Sequence, residues 1–233
     1  MERKIQDKDL GTIILRTSER ARRYTLKISG GHIIAVMPLR GSESSMLNFI
    51  EEKRTSLIKA LQKHPATPKF DESSELITQT FRLHIFRTDR RNFYLTLHDG
   101  ILHIACPLSI DFEEEKIQNI LRDMIGKALR HEANKMLPKR LKELAEQYNF
   151  TYTDVKITKS KSNWGSCSVR KSINLSRSLM LLPRHLSDYV LLHELCHTIE
   201  MSHNERFWAL MDKVTNNQAK ALRKELKSYH SFE

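Results

Sequence analysis

The chain has 233 residues with 39 Lys and Arg against 28 Asp and Glu, a net charge of +11, which is enough length to bury a core. No stretch reaches the roughly 18 consecutive apolar residues that a membrane-crossing helix needs, and the opening MERKIQDKDL is too polar for a secretory signal, so the expected location is cytoplasmic. Cys106, Cys167 and Cys196 are odd in number and lack CxxC spacing, which argues against a disulfide framework, and the positive charge permits anionic partners without naming one.

In chain order, the first feature is an internal echo. Residues 22–39, RRYTLKISGGHIIAVMPL, match residues 91–108, RNFYLTLHDGILHIACPL, without a gap: Tyr24 with Phe93, Leu26 with Leu95, Gly31 with Gly100, and Pro38-Leu39 with Pro107-Leu108. Each copy predicts a hairpin, an alternating run, a turn containing Gly and a second apolar run, and each is followed by a helical pattern, over 45–64 and over 112–148. The polar segment 63–75, with two prolines, reads as the connection between copies. Beyond it the spacing predicts short strands around 154–160 and 172–178, joined by a loop containing Gly165, and a helix from about Pro183, a residue suited to a first helical turn.

That last helix carries His193-Glu194-Leu195-Cys196-His197. Two histidines four residues apart stand one above the other on one helix face, here the face continued from Leu186, Tyr189 and Val190, and can share one zinc ion. Glu194 projects about 100° around the helix, where it can reach a metal-bound water without necessarily binding the metal itself. A third ligand is needed, and His203 ranks ahead of Glu200 and Glu205: Asn204 after it is a natural helix cap, so the chain turns there and folds the imidazole back. Glu200 would lie almost a turn beyond His197, and Glu205 belongs to the first turn of the next helix. The bare HExxH pattern is only suggestive; its helical context and third histidine sharpen it. His32, His64, His84, His98, His103, His185 and His230 are scattered and read as surface or packing residues.

The loop 164–168, WGSCS, has two readings. In one, Trp164 and Ser166 line the pocket and Gly165 lets the backbone approach metal or substrate. In the other, favoured for Trp164 and Cys167, these side chains support the core beside the active helix. Cys196 reads as packed, and Phe207 and Trp208 as residues that hold His203 in place.

WGSCS at 164–168, INLSRSLMLLP at 173–183, DYVLLHELCH at 188–197 and HNERFW at 203–208 together resemble the YgjP-like metallopeptidase family, a gluzincin-like group of metal-dependent hydrolases, over most of the chain. The resemblance implies zinc ligands His193, His197 and His203 with Glu194 as catalytic base. The chain departs from the family in having Asn163 where Arg tends to precede WGSCS, and Asn204 where Ser is frequent.

The expected architecture is α+β. Residues 1–110 form a duplicated strand, strand and helix body, with the first copy at about 11–63 and the strands of the second at about 76–108; residues 111–233 form a helical and zincin-like catalytic region. The expected function is zinc-dependent peptide hydrolysis with metal-activated water and Glu194 as base, the strand around 172–178 pairing with an extended peptide and Trp164, Gly165, Ser166 and Arg177 contacting substrate. The alternative is nucleoside triphosphate pyrophosphatase action of the UTP type, favoured by Lys156, Lys159, Lys161, Arg170, Lys171, Arg177 and Arg184 near the metal helix. A nucleic-acid-binding module with structural zinc ranks third, because structural zinc fills four protein positions and only three ligands are found. The oligomeric state is left open by the sequence.

Overall fold

A computed structural model of the chain describes residues 2–29, 31–63, 68–160 and 163–229. It divides into two compact units, Met1–Pro68 and Lys69–Glu233.

The first unit holds a four-stranded sheet in the order β1 (Glu2–Asp7), β2 (Gly11–Ser18), β4 (His32–Pro38), β3 (Thr25–Ser29). The β1/β2 hairpin closes where Asp7 accepts from the backbone N–H groups of Asp9 and Leu10 at 3.0 and 2.9 Å, and Gly11 takes φ +65°, a left-handed turn open to glycine. Alternation sends Ile13 and Leu15 of β2 and Ile33 and Ala35 of β4 to one side, where they meet Met46 and Ile50 of α1 (Glu43–Glu52) and Leu57 of α2 (Arg54–Lys63). The pattern over 45–64 predicts one helix, but there are two: Lys53 leaves the helical well at φ −99° and ψ 2°, and Arg54 beyond it is gripped by Asp7 at 3.0 and 2.7 Å. His64 lies outside the described residues.

The second unit contains two three-stranded sheets: β5 (Arg82–Thr88), β7 (Ile101–Pro107), β6 (Tyr94–His98), and β8 (Asp154–Thr158), β10 (Ser172–Ser176), β9 (Gly165–Cys167). Between them in sequence runs α3 (Glu115–Tyr148), 34 residues and so roughly 50 Å long. Its inward stripe of Leu121, Ile125, Leu129, Ala133, Leu137 and Leu141 is the spine of the core. Three shorter helices follow the last sheet: α4 (Arg184–His197), α5 (Glu205–Val214) and α6 (Ala219–Leu226). A bidentate pair, Arg140 of α3 to Asp188 of α4 at 2.9 and 2.8 Å, ties the site helix to the spine. Among the described residues no helix is long and apolar enough to cross a membrane.

The three sheets are wound alike. In β2-β3-β4, β5-β6-β7 and β8-β9-β10 the first strand lies parallel to the third and the second antiparallel to it.

Three further expectations change. The chain divides at 68/69, inside the 63–75 connection, and not at 110/111: Leu102, Ile104 and Cys106 of β7 belong to the same buried cluster as Ile117, Leu121 and Ile125 of α3, so a cut at 110 would open one core. The loop around Gly165 contains strand β9, too short at three residues to show a pattern. And β10, the strand expected to pair with a peptide, lies between β8 and β9 with both edges occupied; among the described residues the outer edges of this sheet are on β8 and β9, and β9 is the one against Glu194.

Candidate metal centre

Pro183 caps α4 from just outside, its carbonyl accepting from Leu186 and Ser187 at 3.0 Å each. Leu186, Tyr189 and Val190 are buried, and the stripe they begin continues into His193 and His197. The helix stops at His197, so residue 200 is no longer helical: the Glu200 main-chain carbonyl accepts from His197 Nδ1 at 3.0 Å, which fixes the ring's tautomer and leaves Nε2 with its lone pair. The chain then turns, and Asn204 caps α5 by accepting from the Phe207 N–H at 3.1 Å. His203, just before the cap, is thereby swung back over α4.

The three Nε2 atoms form a closed triangle: His193 to His197 3.1 Å, His197 to His203 3.1 Å, His203 to His193 3.0 Å. Linear hydrogen bonds cannot run along all three sides of so small a triangle, whereas three neutral imidazole nitrogens converging on a point are a donor set suited to a divalent transition metal. Burial, with the neighbouring His197, His203 and Arg223 charges, holds His193 down at about 3, so its ring is neutral at ordinary pH. Phe207, fully buried, places its ring 4.9, 4.5 and 4.8 Å from the imidazoles of His193, His197 and His203, a common apolar floor. Trp208 donates its indole N–H to the His203 carbonyl at 3.2 Å and stacks on the His203 ring at 6.0 Å and 26°.

Glu194 is 4% exposed, and burial pushes its carboxyl up to about 8. Its Oε2 is buried without a hydrogen-bond partner among the described residues. Strand β9 lies directly against it: a Cβ on Gly165 would stand 2.7 Å from Glu194 Oε1, 2.8 Å from Cγ and 2.9 Å from Cδ. The glycine of WGSCS therefore lets the strand approach the carboxylate. Trp164 packs on the core, and its carbonyl accepts from the Ser176 N–H at 2.8 Å. Ser166 is exposed, accepts from Asn174 Nδ2 at 3.3 Å and lines a polar cleft of about 460 Å³ with Lys159, Asn163 and Ser176. Arg177 is engaged by α3, donating to the Gly126 carbonyl at 2.8 Å, and Lys156 pairs with Asp154 at 3.4 Å. Lys161 lies outside the described residues.

Sequence reasoning did not find the contact of Gly165 with Glu194, the carbonyl of Glu200 behind His197, or Arg223 of α6, whose guanidinium lies 4.9 Å from the Trp208 ring centroid. The glycine had a readable signal, a small residue between Trp and Ser ahead of the metal helix; the other two depend on chain reversals that carry no pattern.

These elements describe a mixed α+β protein with a three-histidine centre and a buried carboxylate on the helix that carries two of the histidines. A family model described as YgjP-like, metallopeptidase domain, matches residues 22–229, and the chain belongs to that family. Comparison with curated proteins returns no match. Among solved structures the chain is similar to the crystal structure of the metallopeptidase zymogen of Pyrococcus abyssi abylysin, with 22% identity over 40% of this chain and 93% of that chain and a TM-score of 0.37.

Proposed function

We propose that the protein is a zinc-dependent peptidase in which His193, His197 and His203 hold the metal and Glu194 is the base. The observation that carries this reading is the triangle of Nε2 atoms at 3.0 to 3.1 Å with Glu194 on the same helix. Held by His193, His197 and His203, a zinc ion would supply Lewis acidity toward a carbonyl and a water, and its charge would oppose the upward pull of burial on Glu194. Glu194 takes a proton from the attacking water and delivers it to the leaving nitrogen. Gly165 keeps that carboxylate confined, and the free edge of β9 offers backbone groups to an extended peptide. Trp164 and Arg177 brace the site from the core and from α3, while Ser166 is open to substrate.

The nucleotide reading is weakened because two cations invoked for it, Arg177 and Lys156, have partners within the protein. We read the zincin-like part as running through β8–α5 and the two strand, strand and helix segments as copies of one ancestral unit. Three free thiols, Cys106, Cys167 and Cys196, support a reducing, cytoplasmic setting.

The test is to incubate zinc-loaded wild type and Glu194→Gln with unfolded-protein substrate and with a nucleoside triphosphate panel, following peptides and pyrophosphate by mass spectrometry. Peptide cleavage that disappears in Glu194→Gln is expected. Glu194-dependent pyrophosphate release without cleavage would replace the peptidase reading.

A further inference from the structure

Helix α6 places an arginine over the ring that stacks on the third histidine. Its buried Ala219 and its Leu222 and Leu226 pack on the core, and the helix touches both α4 and α5, so its register is fixed. Arg223 is exposed, its Cζ 4.9 Å from the Trp208 ring centroid, and Trp208 in turn lies 6.0 Å from His203. The guanidinium is thus one aromatic ring removed from the third histidine, and its positive field reaches the buried His193 and Tyr189.

What Arg223 lacks is an anion. Among the described residues it makes no ion pair: Glu225 on the same helix is held by His185 at 2.8 Å, and neither Glu205 nor Asp212 of α5 pairs with it. Most exposed arginines are simply solvated. This one differs in sitting over an aromatic face, with its Cζ 4.9 Å from the Trp208 ring centroid, which reduces the side-chain entropy lost on binding, and a guanidinium fork can take a carboxylate in bidentate fashion. The steps of 4.9 and 6.0 Å set the span from guanidinium to His203 ring at no more than about three residues of extended chain at roughly 3.5 Å each, so a carboxylate held by Arg223 would lie within two or three residues of a bond at the metal that His203 helps to hold.

We propose that Arg223 anchors a substrate carboxylate, so that the peptides cut best carry one within two or three residues of the scissile bond, at the C-terminus or on an Asp or Glu side chain. The inference rests on the peptidase reading of the site. It makes Arg223 a determinant of specificity and leaves the chemistry to Glu194 and the metal.

The experiment uses the full zinc-loaded chain and matched peptide pairs: free C-terminal acid against amide, and Asp or Glu against Asn or Gln beside the cut. The expected result is a wild-type preference for the carboxylate member of at least one pair; whichever pair responds identifies the source. Arg223→Ala raises KM for that member about tenfold, with kcat within about twofold and no change for the neutral member; Arg223→Lys falls between. Arg223→Glu shifts the preference toward Lys-bearing peptides, and the same ordering of affinities appears when peptide binding is measured in a Glu194→Gln background. Melting temperature and zinc content stay at wild-type values. Equal KM for both members of every pair, or an equal loss on all peptides accompanied by zinc loss, overturns the inference while leaving the peptidase intact, the second pattern being that of a mere brace for Trp208. A wild-type chain that neither cleaves nor binds any peptide overturns the peptidase reading and this inference with it.

Discussion

In the sheet β5-β7-β6 the central strand runs seven residues and adds Leu102, Ile104 and Cys106 to the core. In β8-β10-β9 the central strand runs five residues and one of its two outer partners, β9, only three, and β9 meets the side chain of Glu194. The winding is the same in both, parallel first to third and antiparallel second to third, yet one sheet is scaffold and the other forms a wall of the site. The difference lies in side-chain size at the contact: bulky inward residues keep a packed layer at a distance, whereas Gly165 removes the Cβ and lets backbone touch the carboxylate. Strand arrangement supplies a platform in both, and a single small residue decides whether the sheet's backbone can reach the carboxylate.

The comparison predicts a graded set of losses. The largest follow removal of a metal ligand. His193→Ala and His203→Ala should each weaken zinc retention on the order of 10²-fold or more by equilibrium dialysis with metal analysis. Full retention in His203→Ala would move the third-ligand role to another group and break the triangle as an explanation.

Glu194→Gln comes next. It should keep zinc and lower peptide turnover by on the order of 10²–10⁴, read by initial rates on one peptide substrate. Metal loss in this variant would make Glu194 a ligand instead of a base.

A pair of glycine replacements separates the two sheets directly. Gly165→Ala drives a Cβ into a carboxylate that is 4% exposed and cannot step aside, so turnover should fall roughly 10- to 100-fold with zinc retained. Gly100→Ala, at the β6/β7 turn of the scaffold sheet with φ +71° and its added Cβ in ordinary contact with the Thr80 carbonyl oxygen at 3.6 Å, should cost about 1 kcal/mol of stability and leave turnover unchanged. Equal effects on activity from the two would erase the distinction drawn between the sheets.

The smallest effect belongs to the first unit and is a matter of pH. The Arg54 guanidinium, with two backbone N–H groups, holds the Asp7 carboxyl well below the ordinary carboxylate range. A depressed folded-state pKa adds stability that is present above the unfolded value, about 3.9, and is lost as pH falls toward the folded one. Asp7→Asn should therefore destabilise the first unit by less than about 1 kcal/mol at neutral pH, the pair being screened by solvent, and by progressively less below about pH 4, as followed by denaturant melts across pH. A constant penalty at every pH would remove the ion pair from the account.

Much of this was legible before any coordinates. His193, Glu194 and His197 could be read because a helix converts a spacing of four into a shared face, and the run Leu186, Tyr189, Val190 said which face was buried. His203 could be ranked third because Asn204 is a cap, and a cap implies a reversal. The hairpins flanking Gly31 and Gly100 followed from alternation interrupted by a turn. These are local signals: each depends on residues within one or two turns of chain.

The rest was decided by which distant segments met. Three residues, Gly165 to Cys167, are too few to show strand periodicity, and only pairing with β10 made them a strand; that same pairing closed β10 to any peptide and left the outer edge of β9 open. The cut at 68/69 reflects a core shared by β7 and α3, whose inward residues look no different in sequence from those of two separate cores. Arg177 met the Gly126 carbonyl, and Arg223 met Trp208, across separations at which a sequence carries charge but no direction. Helical and strand periods are set by backbone geometry and so are written along the chain, whereas a contact between elements depends on the packing of the whole core and exists only once that core has formed.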